Sequence, residues 1–479
     1  RSRWGLILAT LGMAVGTGNI WRFPRIVATN GGGSFLIAWV VFLLLWSIPL
    51  MILEFSFGKW ARKGTVGAFA MIAGPRRGWM GGWVALCATA IMFYYSVVAG
   101  WCLRCLWASL SGEVAHRSSE ELWNAYAASG GAVVTHVLAL GLAFAVVWFG
   151  VRGIERVAKL LIPTLFVLVV VLAIRAVTLP GAAAGLEFLF RPDWAKLGDY
   201  NIWLQALTQN AWDTGAGWGL ILTYAIYMKA REDIPLNACL IGFGNNSVSL
   251  LAAIMVLCTV FAMNPGAHDE IVGAGNVGLT FVWMPQLFGE MIGGSVFMVL
   301  FFLALTFAAL TSLISMLELA TRVLINFGFA RRRALVWVAG AGLLFGLPSA
   351  LSMPFLQNQD WVWGLGLMLS GLFFALAARR FGVERLRREV VVDGADIAVG
   401  RWWTFLISVV VPLEAVILMI WWLWQTWISA EGVVARWLTP LSTFNTGTVL
   451  VQWGIALLAL LALNRWLSAA GSRARGVAG

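Results

Sequence analysis

The chain has 479 residues, 61% of them hydrophobic and only 11% charged, with a mean hydropathy of +0.85. A soluble domain carries roughly 25% charged residues, so this composition excludes a soluble enzyme, a nucleic-acid binder and a disordered scaffold. The net charge of +11 then points to basic loops at a membrane face rather than to nucleic acid.

A membrane-crossing helix needs about 20 apolar residues. Twelve apolar segments follow one another: Leu6–Ala28, Phe35–Gly58, Trp83–Leu110, Val133–Phe149, Leu160–Val177, Ile202–Met228, Leu236–Phe261, Ser295–Ile325, Ala334–Ser352, Trp361–Ala378, Trp402–Ile428 and Thr448–Trp466, numbered here as spans 1 to 12. They are too long and too little alternating for barrel strands, so helices are predicted. Basic residues crowd every second loop: Lys59, Arg62, Lys63, Arg76 and Arg77 after span 2, Arg152, Arg156 and Lys159 after span 4, Arg331, Arg332 and Arg333 after span 8, Arg379, Arg380, Arg385, Arg387 and Arg388 after span 10. The other face has Arg117, Arg191, Lys196 and Arg436. This asymmetry predicts a multi-pass protein of the cytoplasmic (inner) membrane with both termini in the cytoplasm. Tryptophans at span ends, as at Trp402, Trp403, Trp421 and Trp422, read as interface anchors. The loop 264–294 between spans 7 and 8 is long and Gly-rich, a candidate lid or a solvated connection. The chain opens on Arg1, so a preceding segment is expected.

Chemistry-bearing residues are sparse. Cys87, Cys102, Cys105, Cys239 and Cys258 form no metal-spaced cluster, and His116, His136 and His268 are scattered. No metalloprotease motif, nucleophile elbow or phosphate loop occurs, so no enzyme is expected. A channel needs a continuous polar pore, which these spans do not offer.

Two spans are interrupted instead. Span 1 carries Gly12, Gly16 and Gly18 within seven residues, and span 6 carries Gly215, Gly217 and Gly219 beside Asp213. Each glycine weakens a helix by about 1 kcal/mol relative to alanine. Irregular backbone at membrane depth survives where it lines a cavity. A pair of broken segments five spans apart points to a transporter site between two repeats, with released carbonyls available to a cation.

The stretch Gly12-Met13-Ala14-Val15-Gly16-Thr17-Gly18-Asn19-Ile20-Trp21-Arg22-Phe23-Pro24, followed by Asn30-Gly31-Gly32-Gly33-Ser34-Phe35, resembles the neurotransmitter:sodium symporter family, and within it the bacterial amino-acid transporters. The resemblance implies an all-α integral membrane fold of twelve transmembrane helices, with an inverted five-helix repeat of the leucine-transporter-like kind and discontinuous helices 1 and 6. The division it implies is 1–178 for the first repeat, 179–200 for an extracellular loop, 201–380 for the second repeat, and 381–479 for two peripheral spans and a cytoplasmic tail.

The same resemblance implies two Na+ sites. The first would use Ala14, Asn19, Asp213 and Asn245, and the second Gly12, Val15, Ala308, Thr311 and Ser312. The implied substrate pocket is Met13, Ala14, Gly18, Ile91, Tyr95, Trp212, Asp213, Gly215, Trp218, Ser312 and Met316, with the Tyr95 hydroxyl meeting a substrate carboxylate. Monoamine carriers of the family place an Asp where this chain has Gly16, so a free neutral amino acid is expected, hydrophobic or aromatic because the pocket walls are. Arg22, Asp360 and Trp212 match the outer gate, with Arg22 just above the site and Asp360 at the start of span 10 as its ion pair. Gly153 and Pro163 resemble a device that unwinds span 5. Glu54 would brace the unwound segments, and Glu318 is read as structural.

Many family members place chloride near the first sodium. Gln209, Asn245 and Ser249 fit that shell, but Asp213 replaces a Ser or Thr. A buried carboxylate needs a partner or a proton. Asp213 is therefore expected to act as a built-in anion that makes transport chloride-independent, and to take a proton when the site is empty. The expected function is Na+-coupled import of a neutral L-amino acid by alternating access. The alternative is a sodium-independent or proton-coupled carrier of the same fold. The partners expected are the amino acid and the lipid bilayer, with Trp-rich spans 11 and 12 offering a homodimer contact.

Overall fold

The computed structural model describes residues 3–115, 117–229, 232–266, 268–393 and 395–473, so His116 lies outside the described residues. Every described element is helical, because a backbone in lipid must satisfy its own hydrogen bonds. Among the described residues, nine helices are long and apolar enough to cross a membrane: Gly33–Ala61, Pro75–Ser111, Gly131–Trp148, Gly150–Val177, Ile234–Met263, Gly294–Asn326, Arg331–Leu351, Met353–Phe381 and Arg401–Ser429. These are spans 2 to 5 and 7 to 11. Span 12 is the shorter Thr446–Ala462.

Burial sorts the spans into two sets. The apolar stretches of spans 3, 8 and 10 are 72%, 67% and 78% buried, whereas those of spans 4, 5, 9 and 11 are between 33% and 39% buried. The first set forms the interior. The second turns apolar side chains such as Leu138, Ile174, Leu344 and Ile420 outward, which is stable where the surrounding solvent is hydrocarbon.

Spans 1 and 6 are broken as expected. Span 1 runs as Arg3–Ala14, stops at Val15 and Gly16, and resumes with a wide turn over Gly18–Arg22 and the helix Phe23–Thr29. Span 6 runs as Tyr200–Asp213, opens over residues 214–219 and resumes only as Leu220–Ala225. Gly215, Gly217 and Gly219 have φ of +71°, +88° and +77°, a region open to glycine and strained for other residues. The expected helical end at Met228 is not reached. Arg62 Nη1 donates to the carbonyls of Ile226, at 2.9 Å, and Met228, which removes the need for another helical turn.

Two further expectations are corrected. Span 10 begins at Met353, not Trp361, so Asp360 sits two turns inside the helix. The polar run 357–360 stays helical because its side chains have partners: Asn358 donates to the Thr443 carbonyl at 2.9 Å and Gln359 to Gln452 at 3.2 Å. Of the tryptophans read as anchors, Trp402 is exposed, whereas Trp403 is fully buried and donates to the Pro49 carbonyl at 3.1 Å. Span 5 is one continuous helix through Gly153 and Pro163. The glycine also permits close approach of the end of span 4, since a Cβ there would lie 2.9 Å from that of Phe149.

Candidate functional site

The two breaks face each other and are tied by side chains from outside them. Glu54 of span 2 is fully buried and accepts the Gly217 amide at 2.5 Å and the Leu222 amide at 3.3 Å. A carboxylate here replaces the helical acceptors that the open segment has lost, which is the bracing role expected for it. On span 1, Asn19 Oδ1 accepts the Gly16 amide at 2.8 Å. Its Nδ2 reaches Asp213 Oδ2 at 3.2 Å, Asn245 Oδ1 at 2.9 Å and Ser249 Oγ at 2.7 Å.

Asp213 is 6% exposed. Ser249 Oγ donates to its Oδ2 at 2.8 Å; Asp213 forms no salt bridge among the described residues, and the Arg22 guanidinium attracts it from beyond salt-bridge distance. The Asn245 amide end nearest Asn19 also lies 3.0 Å from the Ala14 carbonyl oxygen and 3.2 Å from the Asp213 carbonyl oxygen. With its oxygen there, three oxygens crowd together and repel. With its nitrogen there, both carbonyls would be satisfied but the Asn19 Nδ2 donor would be opposed. An oxygen cluster beside an unpaired carboxylate has the donor chemistry of a hard cation. All four positions expected at the first sodium site meet here.

The positions expected at the second site converge between spans 1 and 8. A Cβ on Gly12 would lie 3.3 Å from Thr311 Cβ, and Ser312 Oγ donates to the Met13 carbonyl at 3.3 Å. Thr311 Oγ1 turns back to the carbonyls of Phe307 at 2.9 Å and Ala308 at 3.1 Å. Val15 is fully buried beside them in the same core.

Between these groups lies a cavity of about 470 Å³, lined by every position expected of the substrate pocket, from Met13 and Ala14 to Ser312 and Met316. This falls in the range of about 300–1,000 Å³ typical of small-molecule sites. The Tyr95 hydroxyl accepts from the Thr17 amide at 3.1 Å and from Thr17 Oγ1 at 3.2 Å, which leaves its own proton free to donate. A Cβ on Gly16 would meet Ser312 Oγ at 2.9 Å and Tyr95 Oη at 3.2 Å, so no acidic side chain fits there without displacement.

The cavity continues past Arg22, Trp212 and Asp360 to residues 274–277 of the long loop. Arg22 and Asp360 line it together but form no ion pair. The Arg22 guanidinium lies 4.6 Å from the centre of the Trp212 ring, while Asp360 faces Tyr94. The loop is mostly helical, and Arg25 Nε donates to Asn276 Oδ1 at 2.5 Å. Sequence reasoning missed Thr17, Tyr94 and Gly364. A Cβ on Gly364 would overlap the Trp212 indole. Nothing in the local sequence of span 10 signals that contact, because its partner is 152 residues earlier.

Near the C-terminal end of span 8, the buried Glu318 pairs with Arg331 at 2.5 Å and accepts from Tyr227 at 3.4 Å. This is the structural role expected for it. Among the described residues, no group of three His, Cys, Asp or Glu side chains is placed to hold a metal.

A chain with two facing helix breaks, an oxygen cluster and a central cavity has the build of a secondary transporter. The sequence profile of the sodium:neurotransmitter symporter family matches residues 1–133 and 127–469. The chain belongs to that family. This sodium:neurotransmitter symporter family member is 32% identical over 433 residues to an uncharacterised sodium-dependent transporter of Methanocaldococcus jannaschii, covering 86% of this chain and 87% of the relative. It is 30% identical over 443 residues to the uncharacterised sodium-dependent transporter YhdH of Bacillus subtilis, covering 88% and 96%. A solved structure of MhsT in complex with L-phenylalanine superposes with a TM-score of 0.78 at 30% identity, covering 88% of this chain and 98% of that one. As a symporter-family member it is a multi-pass membrane transporter that depends on Na+, and not an enzyme.

Proposed function

We propose that the protein is a two-sodium symporter that imports a neutral, hydrophobic or aromatic L-amino acid into the cytoplasm, independently of chloride. The observation that carries this reading is Asp213: a buried carboxylate with no salt bridge among the described residues, beside the Ala14 carbonyl and the Asn19 and Asn245 side chains. An ionised carboxylate at membrane depth is expensive. A bound Na+ offsets that expense and gives these oxygens a common partner. Asn19 contributes the second lone pair of an amide oxygen that already holds Gly16.

The Ser249 hydroxyl, which with Gln209 and Asn245 would otherwise hold an anion, already donates to a carboxylate. This supports chloride independence. Thr311, Ser312 and the carbonyls of Gly12, Val15 and Ala308 supply hard oxygens for the second ion. The substrate carboxylate meets the free Tyr95 proton and the first Na+, and its side chain lies among Ile91, Trp218 and Met316. That MhsT is solved with L-phenylalanine agrees with an aromatic substrate. Closure brings Arg22 toward Asp360 over Trp212, and opening to the other side unwinds span 5 between Gly153 and Pro163. The basic loops place both termini in the cytoplasm.

The energetics suffice. One charge crossing about 100 mV releases roughly 2.3 kcal/mol, and a tenfold gradient adds about 1.4 kcal/mol. Two ions supply about 7 kcal/mol, or roughly 10⁵-fold accumulation in the ideal limit. The test is uptake of tritiated L-phenylalanine into proteoliposomes with and without an inward Na+ gradient. No stimulation by Na+ for any of the twenty amino acids would overturn the reading.

A further inference from the structure

We infer that His136 is a positioning residue for the substrate pocket: acting through Ser96, it sets the turn of span 3 that presents Tyr94 and Tyr95 to the cavity. This rests on the proposed substrate site and goes beyond it. His136 of span 4 and Ser96 of span 3 are both fully buried. Ser96 Oγ lies 2.9 Å from His136 Nδ1, and His136 Nε2 lies 3.3 Å from the Leu343 carbonyl of span 9.

A carbonyl only accepts, so Nε2 carries the proton. A neutral imidazole has one N–H, so Nδ1 is an acceptor facing the Ser96 hydroxyl. That hydroxyl has a second acceptor 2.8 Å away, the Phe93 carbonyl of its own helix. Back-bonding of this kind bends helices. His136 therefore decides how the single Ser96 proton is shared, and with it the winding of residues 93–96.

The surroundings are cut to admit the ring. A Cβ on Gly346 would lie 2.5 Å from His136 Cε1 and 2.6 Å from the Phe93 oxygen. One on Gly100 would lie 2.9 Å from the His136 amide nitrogen. The same turn that is gripped from outside by spans 4 and 9 lines the cavity on its inner side with Tyr94 and Tyr95, the latter held by Thr17.

The test separates the two ring nitrogens. His136→Asn places an amide oxygen near the Nδ1 position and keeps the Ser96 bond. His136→Gln reaches toward Leu343 and loses it. The readout is equilibrium binding of tritiated L-phenylalanine to the full purified chain in saturating Na+, with thermal melting of each variant measured alongside. Ser96→Ala and His136→Gln are expected to weaken binding about 5-fold, the size of one net hydrogen bond. His136→Asn is expected to bind as the unsubstituted chain does, and the Ser96→Ala/His136→Gln double variant to be no worse than either single one. Equal losses for the Asn and Gln variants, or a Ser96→Ala variant with lowered melting and unchanged affinity, would overturn the inference alone. An unsubstituted chain that binds none of the twenty amino acids would overturn both it and the substrate reading.

Discussion

Asn19 Nδ2 of span 1 lies 3.2 Å from Asp213 Oδ2 of span 6, and this contact joins the two helix breaks. Asn19 sits in the first turn after one break and Asp213 is the last helical residue before the other. Each lies where intrahelical hydrogen bonding stops, so both are free to serve a ligand.

Chloride dependence follows from that placement. Asp213→Ser removes the fixed anion and opens the space beside Ser249 and Asn19. The unsubstituted protein is expected to take up substrate equally in chloride and in gluconate. The variant is expected to lose about tenfold in gluconate, or ~1.4 kcal/mol, and to recover in chloride. Chloride-dependent uptake by the unsubstituted protein would sink the assignment.

Glu54 gives a stability prediction. Glu54→Ala leaves the Gly217 and Leu222 amides without acceptors in a buried site, at about 1–3 kcal/mol each. Glu54→Gln retains one acceptor oxygen and is expected to lose less. Melting of the purified variants in detergent reads this directly, and equal melting for the two would argue against bracing.

Gly364 predicts a steric effect on the lid. Gly364→Ala pushes a methyl group into the Trp212 ring. Transport is expected to fall several-fold while the fold is retained, and Trp212→Phe in the same chain is expected to restore part of it, because the smaller ring leaves the notch free. Failure of the second substitution to help would place the defect elsewhere.

The proposed second ion can be tested by titration. Thr311→Val keeps the shape and removes the hydroxyl oxygen. The Na+ concentration for half-maximal uptake is expected to rise about 5-fold, the size of one lost polar contact, with little change in melting. An unchanged sodium titration would remove Thr311 from the ligand set.

The Glu318–Arg331 pair is asymmetric. The Glu318 side chain is fully buried, whereas that of Arg331 is 29% exposed. Arg331→Met leaves a buried carboxylate uncompensated and is expected to cost about 3 kcal/mol. Glu318→Gln leaves a cation that water reaches, and is expected to cost less. Comparing the two melts checks the order.

Several parts of this architecture were legible before any coordinates. Hydropathy marks the spans because lipid demands long apolar helices. The glycines of spans 1 and 6 mark the breaks because their backbone conformations are ones other residues resist. The resemblance carried by residues 12–35 implies one ion site with Asn19, Asp213 and Asn245 and a second with Thr311, and the structure brings the first three within hydrogen-bond distance and sets Thr311 against Gly12. The start of span 10 was misjudged because Gln357, Asn358, Gln359 and Asp360 look like loop. The partners of Asn358 and Gln359 lie in and before span 12 and inside span 10 itself, and that of Asp360 is Tyr94 of span 3, most of them invisible to a local pattern. The role of Trp403 was misjudged for the same reason: the Pro49 carbonyl that accepts its indole proton is 354 residues away.

The sequence by itself determined the membrane setting, the helical class and the two interruptions. All of these follow from local composition and backbone preference. Tertiary structure alone decided that Asp213 has no salt bridge among the described residues, that Arg22 rests on Trp212 rather than pairing with Asp360, that Gly364 receives the Trp212 ring, and that His136 meets Ser96 behind Tyr95. Those are relations between helices far apart in the chain. Their energies depend on distances of a few ångströms in a low-dielectric interior, and such distances are set by packing rather than by neighbouring residues.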